Sequence, residues 1–292
     1  MNFIEHSCLS HHGILGMKWG IRRYQNKDGS LTAAGRKHYG VGGSGYDKDF
    51  TLSSKRDVLT TLSSDPNRTK NVDMFYASVT PNDKKYYKAF FSTYKDTNLK
   101  NITKPKLQIN NKLAKNVKVA SEQSGAKVIS DLYNKDENFK DFIVNKERMA
   151  SLFPANKKFL STKPEYRKAL VTLNDVTKKG YASEAELKEI YKIFNYILPN
   201  DGRGDESAKQ DVEKIRNSFF SALKEQGYGA VLDTNDAYYG NYGTSVERPV
   251  IMFDMEQVVP SDVKQLKMSE IKKTQVTESI KRLYREVTHN YV

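Results

Sequence analysis

The sequence predicts an α+β fold: a mixed sheet flanked by several helices. Two observations carry that expectation. Stretches rich in aromatic and β-branched residues, Val72–Thr80, Ala230–Asp233 and Pro249–Asp254, read as strands. Between the first and the other two lie long stretches whose apolar residues recur at helical spacing. Strands and helices grouped in this way suit a sheet with helices packed against it.

Taken in order, Asp49–Leu62 reads as a short helical lead-in, followed by the turn Ser64-Asp65-Pro66-Asn67. The strand Val72–Thr80 is closed by Pro81. Asp83–Tyr94 reads as a helix, with Tyr86, Tyr87, Phe90 and Phe91 near helical spacing. A strand is expected near Lys115–Val119, then a helix from Ser121 with Ala126, Ile129 and Leu132 on one face. Helix continues over Phe139–Leu152 and returns over Pro164–Val176. Ser183 and Glu186 form a capping box that opens a helix to Tyr196, its stripe made of Leu187, Ile190, Tyr191, Phe194 and Ile197. Asp201–Asp205 is a loop that lacks the oxygen-ligand pattern of a calcium site. Gln210–Glu225 is amphipathic through Val212, Ile215, Phe219, Phe220 and Leu223, and stops where Gly227 takes the C′ place. A Tyr- and Gly-rich loop, Asn235–Gly243, joins the last two strands, and Ser269–Val287 reads as a helix with separate basic and apolar faces.

At 292 residues the chain has enough interior to need no staples. Mean hydropathy is −0.70, and 18 Tyr and 13 Phe supply the large buried areas that aliphatics would otherwise provide. Cys8 is the sole cysteine, so an intrachain disulfide is excluded and a reducing compartment is expected. No run approaches the roughly 20 apolar residues of a membrane helix, and no basic-then-apolar leader precedes Glu5.

The net charge of +13 points to an anionic partner. Six lysines and no acid lie between Lys100 and Ala120: Lys100, Lys104, Lys106, Lys112, Lys115 and Lys118. With Arg36 and Lys37 they are the candidate nucleic-acid contacts. Lysine far outnumbers arginine, which favours diffuse attraction to phosphates over base reading. The plainer alternative is a solvated lysine-rich surface.

Three regions follow. Residues 1–45 form a basic-aromatic arm ending in the Gly-rich linker Gly40–Gly45; residues 46–262 form the α+β domain; residues 263–292 form a basic C-terminal helix. Within the arm, Ile14, Leu15, Met17, Trp19, Ile21 and Tyr24 are candidate buried anchors for a partner protein, and Lys18, Arg22 and Arg23 its rim. Trp, Tyr and Arg dominate interface hot spots. Two other readings of the arm stay open. It could lay arginines on phosphates with Trp19 and Tyr24 stacked on bases, or fold back on its own domain.

The string His12–Tyr39, HGILGMKWGIRRYQNKDGSLTAAGRKHY, resembles the N-terminal signature of minor structural, head-morphogenesis-associated proteins of phages and prophages, HGILGMKWGxRRYQNKDGSLTxAGxxRY. It departs at Ala33 and His38, where Pro and Arg are commoner. The resemblance implies a bacteriophage virion component, assembled in the host bacterial cytoplasm, with portal or major capsid protein and packaged DNA as partners.

A second resemblance lies in the main domain. Gly227–Asp233 followed by Pro249–Asp254 is similar to the closing strands of ADP-ribosyltransferase-like domains, GYDGxxD then EYVVFDxxQI. It implies that fold; the family's chemistry is not carried over. Pro249 stands where the family's glutamate opens the strand, with Glu247 two places upstream. Phe75–Ser78, the equivalent of the early strand, offers neither Arg nor His, and Phe159–Thr162 only imitates the family's Ser-Thr-Ser strand.

Other chemistry lacks its parts. His6, Cys8, His11 and His12 have no second half at zinc-ligand spacing, and no phosphate-binding glycine motif occurs. The expectation is a non-enzymatic virion protein with no catalytic residues, cofactor or metal. Two alternatives are a divergent ADP-ribosyltransferase effector carried by the phage and a non-specific DNA-binding packaging protein.

Overall fold

The computed structural model describes residues 48–63, 73–80, 107–151, 164–197, 206–235 and 248–265. The expected helices Asp83–Tyr94 and Ser269–Val287 lie outside them, as do Phe159–Thr162 and Asp201–Asp205. The described chain is α+β. Its strands are β1 (Phe50–Leu52), β2 (Val58–Ser63), β3 (Phe75–Thr80), β4 (Leu107–Leu113), β5 (Val117–Ala120), β6 (Tyr228–Leu232), β7 (Pro249–Met252) and β8 (Val258–Gln265). The helices α1 (Glu122–Lys135), α2 (Glu137–Val144), α3 (Lys146–Ser151), α4 (Pro164–Lys179), α5 (Glu184–Ile197) and α6 (Glu206–Glu225) fall between β5 and β6.

The strands form one sheet in the order β1-β5-β6-β7-β3-β2-β4-β8. Only β5 and β6 run parallel, and the helical layer is their crossover. The short links show that this sheet coils. β4 and β5 stand five places apart, about 24 Å in a flat sheet at ordinary strand spacing. Only residues 114–116 join them, and four residue steps reach about 14 Å at most. The sheet therefore curls until its distant strands approach. Among the described residues its inner face is apolar and its buried members all come from strands: Leu52, Leu59, Phe75, Val79, Leu113, Val117, Val119 and Val250 among others.

The outer face of the central strands packs on helices through Ala120, Tyr228, Val231 and Ile251. An aromatic run holds the helical layer together: Phe139 on Phe194 (5.8 Å between centroids), Phe194 edge-on to Phe219 (5.3 Å), then Phe220 stacked on Phe253 beyond β7 (4.5 Å). Gly125 in α1 is required by this packing, because a Cβ there would overlap the Tyr191 hydroxyl.

Helix boundaries follow local capping. Ser121 caps α1, accepting from the Ser124 amide at 3.3 Å. Asp136 ends α1 and starts α2, accepting from the amides of Asn138 and Phe139 at 2.9 and 3.1 Å. Asn145 does the same for α3, with the amides of Glu147 and Arg148, so the expected continuous helix from Phe139 is two. The capping box of α5 is present: Ser183 donates its amide to Glu186 at 2.8 Å and accepts the Glu186 amide at 3.4 Å. Gly227 follows α6 with φ of 80°.

Three strand assignments correct the sequence reading. Asp49–Leu62 is not a helical lead-in but β1, a turn and the start of β2; Phe50 and Leu52 alternate, and the Asp57 carboxylate closes the turn on the Ser53 amide at 2.7 Å. β4 went unpredicted because Gln108, Asn110 and Asn111 are buried polar residues that mask its alternation. β8 contains Pro260, which a sheet edge tolerates. It runs to Gln265, past residue 263, where the C-terminal region is expected to begin.

Candidate functional site

The strands singled out for their likeness to transferases come together. β3 lies antiparallel beside β7, with Ser78 opposite Pro249 and Tyr76 opposite Ile251. Ser78 belongs to a transverse row on the outer face: Asp262 opposite Asn110, Asn110 opposite Thr60, Thr60 opposite Ser78. Ser78, Thr60 and Asn110 are buried. Asn110 Oδ1 accepts from Thr60 Oγ1 and from Gln108 Nε2, each at 3.2 Å. Hydroxyls and amides of this kind can hold a polar group by hydrogen bonds. They offer no proton-transfer group in the neutral pH range.

Beside this row lies a largely buried ion pair. Arg248 donates from Nη2 to Asp57 Oδ1 at 2.6 Å and from Nη1 to Oδ2 at 3.3 Å. Asp57 is 5% exposed. Arg248 sits at φ 46°, an uncommon conformation for a residue with a side chain. The ion pair holds it there, directly ahead of Pro249. Glu247, the carboxylate worth testing, lies outside the described residues.

At the end of β6, Asn195 on α5 joins the layers. Its amide group donates to the Leu232 carbonyl (3.0 Å) and to Tyr191 OH (3.1 Å). Its Oδ1 accepts from the amide and hydroxyl of Thr234 (3.0 and 2.8 Å). Burial pushes the Tyr191 hydroxyl well above its usual range, so it stays neutral.

The first described residues are tied to the helical layer and to β6. Asp49 Oδ1 accepts from the Ser121 amide (3.0 Å), Ser121 Oγ (2.9 Å) and Ser124 Oγ (2.6 Å); Oδ2 accepts from Tyr228 OH (2.6 Å). Burial alone would raise this carboxyl. The bonds from Ser121, Ser124 and Tyr228 outweigh it and hold the carboxyl at about 2. Its place at the N-terminus of α1 suits a carboxylate. The arm residues Ile14, Leu15, Met17, Lys18, Trp19, Ile21, Arg22, Arg23 and Tyr24 lie outside the described residues.

So do Lys100, Lys104, Lys106, Arg36 and Lys37. Of the candidate nucleic-acid residues, Lys112 on β4 and Lys115 in the following bend are exposed. Lys118 differs: its ammonium lies 3.9 Å from Asp49 and 4.0 Å above the Tyr228 ring, so it belongs to the Asp49 cluster. The sequence reading passed over Asp49, the Asp57–Arg248 pair and Asn195. None lies in a motif, and each has a partner far along the chain, 39 residues away for Asn195, 179 for Asp49 and 191 for Asp57.

Among the described residues no group of three His, Cys, Asp or Glu could hold a metal ion, and no helix is long and apolar enough to cross a membrane. Comparison with family models, curated proteins and solved structures found no match to this chain.

Proposed function

We propose that the chain is a non-enzymatic minor structural protein of a bacteriophage head, carried in the virion, whose arm docks onto portal or major capsid protein. The observation that carries this reading is the arm string His12–Tyr39, with Trp19, Tyr24 and two arginines set among apolar residues. The Asp49 cluster supports it, because four hydrogen bonds and an ion pair tie Asp49, just after the arm in sequence, to the domain. A docking arm is useful only if its root is rigidly tied to the body it tethers. Mass spectrometry of purified particles tests this: peptides of the chain, arm included, are expected, and a chain lacking residues 1–45 should be lost from particles. Incorporation of the truncated chain at the full-length level would overturn the docking role.

A divergent ADP-ribosyltransferase is the second reading. What favours it is the placement of Ser78 opposite Pro249 at the start of β7, two residues after Glu247. Labelled NAD with host lysate is the test. Label transfer that Glu247→Gln abolishes would replace the structural reading with an enzymatic one.

A further inference from the structure

Two turns distant in sequence meet at one end of the coiled sheet. The first, Ser53–Asp57, links β1 to β2; the second, Ala114–Asn116, links β4 to β5. Asn116 Oδ1 accepts from the Ser54 amide at 3.0 Å and from Ser54 Oγ at 3.2 Å, which ties one turn to the other. Each turn is also fixed internally or to its surroundings. Arg56 and Asp57 donate their amides to the Ser53 carbonyl (3.2 and 2.9 Å), and Ala114 donates to the Gln257 carbonyl at 2.9 Å.

These turns carry cations that make no ion pair with a described residue, although exposed Glu256 and Asp262 lie on the neighbouring segment. Lys55, Arg56 and Lys115 are exposed, as is Lys112 at the end of β4. Asp57 is the one acid within either turn, and both its oxygens are taken by Arg248. None of the four cations is ion-paired with a described residue, whereas on the helices Arg148, Lys179 and Lys192 hold acids at 2.5 to 3.0 Å. Glu256 lies in the short turn beside the Gln257 carbonyl that Ala114 bonds.

We infer that Lys55, Arg56, Lys112 and Lys115 form a contact surface for the phosphate backbone of double-stranded DNA. The inference rests on the virion reading to the extent that DNA is the anion such a chain would meet. The bonded turns fix the backbone from which these side chains extend, and that brings four cations to one end of the sheet for contact with phosphates. Three of the four cations are lysines, point charges that attract phosphate without the bidentate fork that reads guanine. Binding should therefore be indifferent to sequence and steeply salt-dependent. The set also revises the one expected from sequence: Lys118 leaves it for the Asp49 cluster, and Lys55 and Arg56 join from about 60 residues upstream of Lys115.

The test is fluorescence anisotropy of the full chain with a labelled random-sequence duplex across a series of KCl concentrations. Two variants of equal charge are compared. One carries Lys55→Gln, Arg56→Gln, Lys112→Gln and Lys115→Gln; the other carries Lys127→Gln, Lys135→Gln, Lys178→Gln and Lys188→Gln on exposed helix surfaces. With four phosphates no longer neutralised, the log–log salt slope of the turn variant should be shallower by about 3.6, and that of the helix variant nearly unchanged. Equal weakening in both would mean that binding follows net charge, and would overturn the inference. So would DNA binding by the turn variant at the parent level, or loss in that variant of binding to anionic phospholipid vesicles alone. Particle content separates the two readings. A chain found in virions whose turn variant binds DNA normally sinks this inference only, and a chain absent from virions sinks the structural reading whatever it binds.

Discussion

The caps of the helical layer and the polar side-chain bonds of the sheet differ greatly in range. In the helical layer the caps are local: Ser183 and Glu186 are three residues apart, and Asp136 and Asn145 cap helices that begin one residue later. At the sheet, Arg248 holds a carboxylate 191 residues away and Tyr228 one 179 residues away. Local bonds reform whenever their helix does, so losing one is a small, contained cost. A long-range bond exists only once the sheet has coiled, and its loss exposes a charge that the coiling has already buried.

The largest effect is therefore expected at Arg248. Arg248→Ala leaves Asp57 buried without its cation and should lower stability in urea by about 3–5 kcal/mol. A loss below about 1 kcal/mol, the ceiling for an exposed pair, would mean that the pair behaves like a surface one.

Acid sharpens the comparison. The Asp49 and Glu186 carboxyls are both held at about 2, Glu186 first by the Lys179 ammonium and then by the Ser183 amide and hydroxyl. A carboxyl held below its unfolded value contributes stability that is complete above about pH 4 and is lost as the pH falls through about 2. Unfolding curves between pH 4 and 2 should show that loss in the parent. Asp49→Asn, which removes hydrogen bonds to a charged group spanning β1, α1 and β6, should cost about 2 kcal/mol at pH 7 and flatten part of the acid dependence. An undiminished acid loss in this variant would show that Asp49 contributes none of it.

The smallest effect is expected at the local cap. Ser183→Ala should cost about 1 kcal/mol, read from the urea midpoint with the slope unchanged. If it cost more than Asp49→Asn, the order of local and long-range bonds would be reversed.

The same distinction explains what could be read in the sequence. The helices showed themselves through stripes such as Val212, Ile215, Phe219 and Leu223, all buried, and through the Ser183–Glu186 box. β3, β5, β6 and β7 were legible because aromatic and aliphatic residues dominate them. β1, β2 and β4 were not. Their polar residues Thr60, Gln108 and Asn110 are buried on the outer face and bonded among themselves, which no periodicity rule anticipates. Of the candidate sites, Lys112 and Lys115 were found by charge counting, but Lys55 and Arg56 were missed. A turn with two cations has no meaning until another turn is beside it.

By itself, then, the sequence determined most of the described helices, the strands β3, β5, β6 and β7, the lack of an intrachain disulfide and the strong positive charge, all legible from residue types and their local spacing. The coiling of the sheet, the burial of Asp57 under Arg248, the seating of Asp49 and the meeting of the two cationic turns were decided by tertiary structure. Each depends on groups far apart along the chain, brought together by links too short to let the sheet lie flat.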